Sequence, residues 1–336
     1  MNIIYTRSPK MVTIAGTSGD IAEVELYVWA TGSMPSTPTY TLEKQIVNSA
    51  NEAYFNISPF IKESIAHTEF FAVGSIGNFL APEYVNVFVQ PKLNSVNLIS
   101  STYIATDGYE DYHTTASRNN VFLTEGSYYY ATTGDRGAIY IYDESTTSTE
   151  IKYTGLQSGS VQTLTMTSLT QKATYVHSTM IDEGNKVEVI EDGTEIATYY
   201  FLPVCEPKHT LHQCDFINKH GMWQRLTFFK ASKTTLEVQG NTFNMMLDSP
   251  NYTSYQHKRQ DFNKQGQRSI NLNTGWVSDF YAEVIQDLAM SEQVLLDGLP
   301  VNLDTNSIEM LEGINVGNIN YNLTFKYATP VINKNT

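Results

Sequence analysis

The chain has 336 residues, more than one ordinary hydrophobic core fills, so two or three domains are expected. Hydrophobic residues at 41% exclude a wholly disordered chain, and a formal net charge of −14 speaks against binding nucleic acid or an anionic membrane by charge attraction. Charged residues are scarce at 17%, while 22 Tyr and 15 Phe favour strands over a helical bundle and suit surfaces buried against neighbouring subunits.

No apolar run approaches the ~20 residues that span a bilayer, so no membrane insertion is expected. The N-terminal MNIIYTRSPKMVTIAG lacks a secretory apolar region and passes straight into strand-like sequence. The product is expected to stay in the cytoplasm or to leave it by assembly or lysis. Two cysteines rule out a disulfide-dense scaffold.

In chain order, residues 1–91 read as a first β-domain of immunoglobulin- or fibronectin-like sandwich type. Ile21–Ala30 alternates, with Val24, Leu26 and Val28 on one face and Trp29 on the other. Thr39–Val47, Glu52–Ile57, Phe70–Val73 and Tyr84–Gln90 are further strands. Ser58 with Pro59 signals the N-cap and first turn of a short helix over Pro59–Ala66, and Pro91 is expected to end the domain.

Residues 92–202 form a second β-rich domain, either one larger sandwich or barrel or two small units split near Gly155. Tyr128–Ala131, Ala138–Tyr142, Glu150–Tyr153 and Val161–Met166 are among its predicted strands. Glu191-Asp192-Gly193-Thr194, joining Lys186–Ile190 to Glu195–Leu202, is the strongest hairpin signal in the chain.

Residues 203–336 read as a C-terminal β-sandwich or barrel flanked by one helix. Trp223–Phe229, Leu236–Phe243, Arg268–Leu272, Gln293–Leu303, Ser307–Leu311 and Asn318–Tyr327 are its main strands. Val277, Phe280, Tyr281, Val284, Ile285 and Leu288 recur at helical spacing. Ser278, Asp279, Glu283, Gln286 and Asp287 fill the opposite face. Thr274 or Asn273 is the candidate N-cap, and the apolar stripe is expected to cover the sheet built by the flanking strands. Asp248–Gln267 has no apolar period and reads as a long exposed loop. Trp223, Phe228, Trp276 and Tyr281 are expected to hold the fold.

Few residues suggest chemistry. Cys205, His209, His212 and Cys214 place four zinc-type ligands within ten residues, but the spacing C-x3-H-x2-H-x-C matches no standard finger. A zinc site, a disulfide and two reduced half-buried thiols are the alternatives, and the thiols are the expected reading. Asp107, Glu110 and Asp111 cluster beside Tyr109, Tyr112 and His113, as a carboxylate pair for glycoside hydrolysis would, yet such turn acids are more often solvated. The sequence holds no nucleophile elbow, H-E-x-x-H, P-loop or dinucleotide fingerprint, so no enzyme and no cofactor are expected. The run Tyr128-Tyr129-Tyr130 must point rings to both faces of its strand, which suits a subunit interface or, alternatively, a host surface glycan. The basic patch His257-Lys258-Arg259, with Lys264 and Arg268, is expected on a solvated loop or against an acidic protein partner.

The C-terminal third resembles virion structural proteins of tailed bacteriophages that infect Bacteroidetes, including flavobacterial and crAss-like phages. The resemblance rests on Pro203-Val-Cys205-Glu-Pro207, on Cys214-Asp-Phe-Ile-Asn-Lys-His-Gly-Met-Trp223-Gln and on Leu226-Thr-Phe-Phe-Lys-Ala-Ser232. It continues in Leu272-Asn-Thr-Gly-Trp-Val277 and Met290-Ser291, and Phe55-Asn-Ile-Ser-Pro-Phe-Ile61 resembles the opening module of the same proteins. It implies a non-enzymatic virion component assembled in the host cytoplasm, most simply a multi-copy tail adaptor, distal-tail or baseplate protein. Its implied partners are copies of itself and other virion proteins. A glycan-binding tail or fibre protein and a capsid-decorating or head-fibre protein are the alternatives.

Overall fold

The computed structural model describes residues 3–67, 76–78, 83–110, 120–122, 124, 126–131, 138–143, 149–166, 173–176, 183–204, 209–246, 255, 258–277, 281–305 and 319–331. Within these residues the chain is mainly β, with several sheets and two helices, as the multi-domain β-sandwich reading requires. It divides into two compact units. Met1–Cys205, Phe216–Leu226 and Glu283–Glu292 form the first; Glu206–Asp215, Thr227–Ala282 and Gln293–Thr336 form the second.

The first unit opens with β1 (Ile3–Tyr5), β2 (Met11–Ala15), β3 (Ile21–Trp29), β4 (Tyr40–Gln45), β5 (Glu52–Asn56), α1 (Ser58–Lys62), β6 (Ile76–Asn78), β7 (Tyr84–Leu93), β8 (Val96–Asn97) and β9 (Ser101–Thr106). One sheet runs in the order β1-β9-β7-β3-β4, with β8 on β7, and β2 pairs with β5. Period-two alternation sends Ala22, Val24 and Leu26 of β3 fully inward, where they share a core with Ile14, Phe55, Ile57 and Ile61. Each of the larger of these side chains, from valine upward, contributes about 1.5–3 kcal/mol on burial.

Pro91 does not end a domain: it lies inside β7 opposite Val24. Proline removes a ladder donor but keeps its carbonyl, which accepts the Leu98 N–H at 2.8 Å. Ser58 does not cap α1. The N-cap is Ile57, without a side-chain hydrogen bond. The Ser58 hydroxyl instead accepts the Lys10 N–H at 2.8 Å and donates to the Ser8 carbonyl at 2.6 Å, tying the helix start to the N-terminal segment.

The remaining strands of this unit are β10 (Asn120–Phe122), β11 (Tyr128–Ala131), β12 (Ala138–Asp143), β13 (Thr149–Gly155), β14 (Val161–Met166), β15 (Ala173–Val176), β16 (Asn185–Glu191) and β17 (Thr194–Pro203). They form sheets of order β10-β12-β15-β6 and β11-β17-β16-β13-β14 around a core of Ile139, Ile141, Ile151, Val187, Val189 and Phe201. The chain is not split near Gly155, since β13 and β14 pair directly across that turn. The expected hairpin forms between Glu191 and Thr194, with Asp192 and Gly193 at φ 48° and 77°, the left-handed pair that a two-residue turn of type I′ requires.

Further on lie β18 (His212–Ile217), β19 (Trp223–Phe228), β20 (Lys233–Asn244), β21 (Arg259–Val277), α2 (Tyr281–Ala289), β22 (Val294–Leu296), β23 (Leu299–Leu303) and β24 (Ile319–Tyr327). Their sheet runs β19-β18-β22-β23-β24-β21-β20. In the second unit Ile270, Leu272, Val301, Tyr321, Leu323 and Phe325 are buried, and Phe228 meets Phe325 edge-on at 6.1 Å. The expected single strand Gln293–Leu303 is a hairpin, turning at Asp297-Gly298 with φ 52° and 78°. The predicted strands Phe70–Val73 and Ser307–Leu311 fall outside the described residues.

The helix carries its predicted stripe, with Tyr281, Val284, Ile285 and Leu288 buried, but Val277 ends β21 instead of joining it. Thr274 is no N-cap; its hydroxyl accepts the Tyr321 N–H at 3.0 Å within the sheet. Glu283–Glu292 belongs to the first unit, where Val284 abuts Gly126. Asp287, predicted on the polar face, is buried there. One carboxylate oxygen accepts the Tyr109 hydroxyl at 3.4 Å and the other the Lys219 N–H at 3.2 Å. The expected exposed loop is also corrected in part, because Arg259–Gln267 is strand.

Candidate functional site

A charged cluster of the first unit centres on Asp107. β9 delivers it beyond its C-terminal end, the turn after β1 supplies Thr6 and Arg7, α1 ends on Lys62, and the segment that follows α1 supplies His67. The Asp107 carboxylate accepts the Thr6 hydroxyl at 3.1 Å, lies 3.4 Å from His67 Nε2 and 3.5 Å from Lys62 Nζ. Lys62 and Arg7 also grip Glu292 at 3.1 and 3.2 Å, and Arg7 stacks over the Tyr109 ring at 5.0 Å. Burial raises the Asp107 pKa, but the His67 hydrogen bond, the Lys62 charge and the Thr6 hydroxyl together hold it below the usual carboxylate range. The close approach of two backbones fixes this acid. A Cβ on Gly221, whose φ is 80°, would stand 2.6 Å from the Asp107 nitrogen, and one on Gly108 2.5 Å from the Lys219 carbonyl.

Asp107 is therefore a buried, ion-paired residue and not the solvated loop acid expected from its neighbours. Glu110 is exposed, and Asp111, Tyr112 and His113 lie outside the described residues. Asp107 spends its two oxygens on three partners from distant segments, so the cluster acts as a clasp joining residues 6–7, 62–67, 107 and 292.

The zinc-type residues do not converge among the described positions. His209 is exposed, while His212 Nδ1 is 2.7 Å from Asp297 and Cys214 is fully buried. Cys205 lies outside the described residues, and among those described no group of three or more His, Cys, Asp or Glu is placed to hold a metal. Of the tyrosine run, Tyr129 is buried and stacks on Phe201 at 5.3 Å, whereas Tyr128 and Tyr130 are half-buried. Tyr128 stacks flat on Tyr200 at 5.0 Å, so the two rings already cover one another. Among the described residues no helix is long and apolar enough to cross a membrane.

The second unit carries an unusual surface. β20 is exposed at all twelve positions, and its partner β21 is exposed over Asp261–Gln265. Together they form a two-stranded ribbon whose outer strand is the last in its sheet. Leu236, Val238, Phe243 and Phe262 are exposed on it, the two phenylalanines touching edge-on at 5.6 Å. Lys258 and Arg259, the predicted contact residues, lie at the ribbon's far end: the Lys258 carbonyl accepts the Met245 N–H at 2.7 Å, and Arg259 donates to the Thr242 hydroxyl at 3.2 Å. Lys233, Lys258, Arg259, Lys264 and Arg268 outnumber Glu237, Asp248 and Asp261, giving a locally basic stretch in a chain of net charge −14.

Sequence reasoning also misplaced one aromatic. Trp276, expected to hold the fold, is 73% exposed, while Trp223, Phe228 and Tyr281 are buried. The architecture thus defines a mainly β protein with an exposed edge ribbon among its described residues. The sequence matches no protein-family model and no curated protein.

Proposed function

We propose that this chain is a non-enzymatic structural component of a phage virion, a multi-copy tail adaptor, distal-tail or baseplate protein that joins its neighbours through the β20–β21 ribbon. The observation that carries the reading is the ribbon itself. A two-stranded hairpin is marginal in water, and a long edge strand with exposed leucine, valine and phenylalanine invites pairing with another chain. Natural proteins cover or blunt such an edge, so one left open belongs to an interface. Its basic charge makes an acidic protein surface the complementary partner, and a second copy of this chain is acidic outside the ribbon. The sequence resemblance to Bacteroidetes phage virion proteins points the same way.

Negative-stain imaging of the purified chain tests the reading. Rings or other closed multimers of uniform size are expected, since one ribbon docking on a different surface of the next copy is a heterologous contact that must close or polymerise. Single particles of monomer size at high concentration would sink it.

A further inference from the structure

Beyond the assembly reading, and independent of it, we propose that the outer face of the β21–β24 pair binds a neutral carbohydrate, with Trp276 as the stacking ring. The two strands pair Asn271 with Thr324, Leu272 with Leu323, Asn273 with Asn322 and Trp276 with Asn320. Leu272, Leu323, Ile319 and Tyr321 turn inward and are buried. The alternate positions turn outward as a row of amides, Asn271, Asn273, Asn320 and Asn322, with Trp276 at its end.

Trp276 reaches this face through a constructed irregularity. Thr274 and Gly275 together stand opposite the single Tyr321, one extra residue between Asn273 and Trp276 and so a bulge that re-aims the following side chain. Side-chain hydrogen bonds tie it: Gly275 N–H donates to Asn273 Oδ1 at 2.6 Å, and the Thr274 hydroxyl accepts from Tyr321 N–H and donates to the Gly275 carbonyl at 2.9 Å. Gly275 adopts φ 72°, and the Lys230 stem fills the space where a side chain would stand. The indole is thus carried on a strand whose bulge is tied by side-chain hydrogen bonds, yet 73% of the residue faces solvent. A large aromatic ring held out in this way contributes little to the core.

The amides beside it are oriented for a ligand. Asn273 Nδ2 donates to both Asn320 Oδ1 and Asn322 Oδ1 at 2.6 Å, which exhausts its donors and fixes the two flanking side chains. The Nδ2 groups of Asn320 and Asn322, both exposed, make no hydrogen bond among the described residues. A flat aromatic face next to fixed, uncharged amide donors matches a sugar, which offers an apolar C–H face to the ring and hydroxyls to the amides. Among the described residues the row's own ammonium, Lys326, is already held by Asp304 at 2.9 Å, so the amides and not a charge dominate the face beside the indole. A protein hot spot would surround the indole with apolar neighbours that exclude water, whereas its strand neighbours are asparagines.

The test is a tryptophan-fluorescence and calorimetric titration of the whole chain with neutral gluco-, manno-, galacto- and N-acetylglucosamine oligosaccharides. Saturable binding to at least one of them is expected. Trp276→Ala should weaken it by about tenfold or more, the loss expected for removing one stacking contact. Asn322→Ala should weaken it less, and Tyr128→Ala should leave it unchanged. The ribbon variant Leu236→Asp/Val238→Asp should also bind sugar normally, which separates failure here from failure of the assembly reading. No saturable binding at about 10 mM sugar, or binding that survives Trp276→Ala, overturns the proposal. So does a Trp276→Ala effect confined to self-association, which would assign the indole to a contact between copies.

Discussion

Asp107 illustrates how burial converts an apparently solvated loop acid into a structural charge. Its side chain is 12% exposed, and its carboxyl titrates below the usual range because His67, Lys62 and Thr6 favour the charged form over the cost of burial. A carboxyl depressed in the folded state stabilises it above the unfolded value of about 3.9, and the contribution is lost as pH falls through the lower folded value. Asp107→Asn should therefore cost about 2–3 kcal/mol at neutral pH, somewhat less than a typical broken buried pair because Lys62 retains Glu292. It should also flatten the acid limb of the stability profile, and urea unfolding across a pH series measures both effects. Gly221 is the second residue on which the clasp depends. Gly221→Ala would place a methyl group against the Asp107 backbone at positive φ, and a loss of about 2–3 kcal/mol in the same unfolding assay is expected.

At the scale of elements, the ribbon of β20 and β21 makes a distinct prediction. As the sheet's exposed last strand, β20 should exchange its amide hydrogens quickly in dilute solution, and the same amides should become protected as protein concentration rises. Hydrogen–deuterium exchange by mass spectrometry reads both states, and equal exchange at every concentration would contradict an interface here. The sequence disclosed strands wherever alternation was strict, as in Val24, Leu26 and Val28, and it disclosed the Asp192-Gly193 turn through residues that tolerate positive φ. It also carried the Asp297-Gly298 signal, which a reading of Gln293–Leu303 as one strand passed over. The outer strand was legible in Leu236–Phe243, but its partner over Arg259–Gln267 was hidden for a physical reason: Asn263, Lys264 and Gln265 are polar on both faces, so a strand exposed on both faces has no apolar period. Trp276 was hidden because a bulge shifts the inside–outside parity of a strand; Gly275 inside a strand pattern was the available sign. The helix stripe was legible in Val284, Ile285 and Leu288, but the surface it covers was not. Periodicity fixes which face is apolar without saying which distant segment meets it, and the contacts of Asp287 with Tyr109 and Lys219 join residues far apart in the chain.

At the scale of the whole molecule, the proposed interface sets the basic edge ribbon of an acidic, mainly β chain against other copies. Attraction of that kind is screened by salt, with a Debye length of about 8 Å at physiological ionic strength and about 3 Å at 1 M. Apolar contacts from Leu236, Val238, Phe243 and Phe262 are not screened, so salt should slow assembly more than it reverses it. The most direct measurement is sedimentation velocity over a concentration series, comparing the intact chain with Leu236→Asp/Val238→Asp. The intact chain is expected to sediment as a larger species with rising concentration while the folded variant stays monomeric. An intact chain that remains a monomer throughout, or a variant that assembles as the parent does, would contradict the proposed interface.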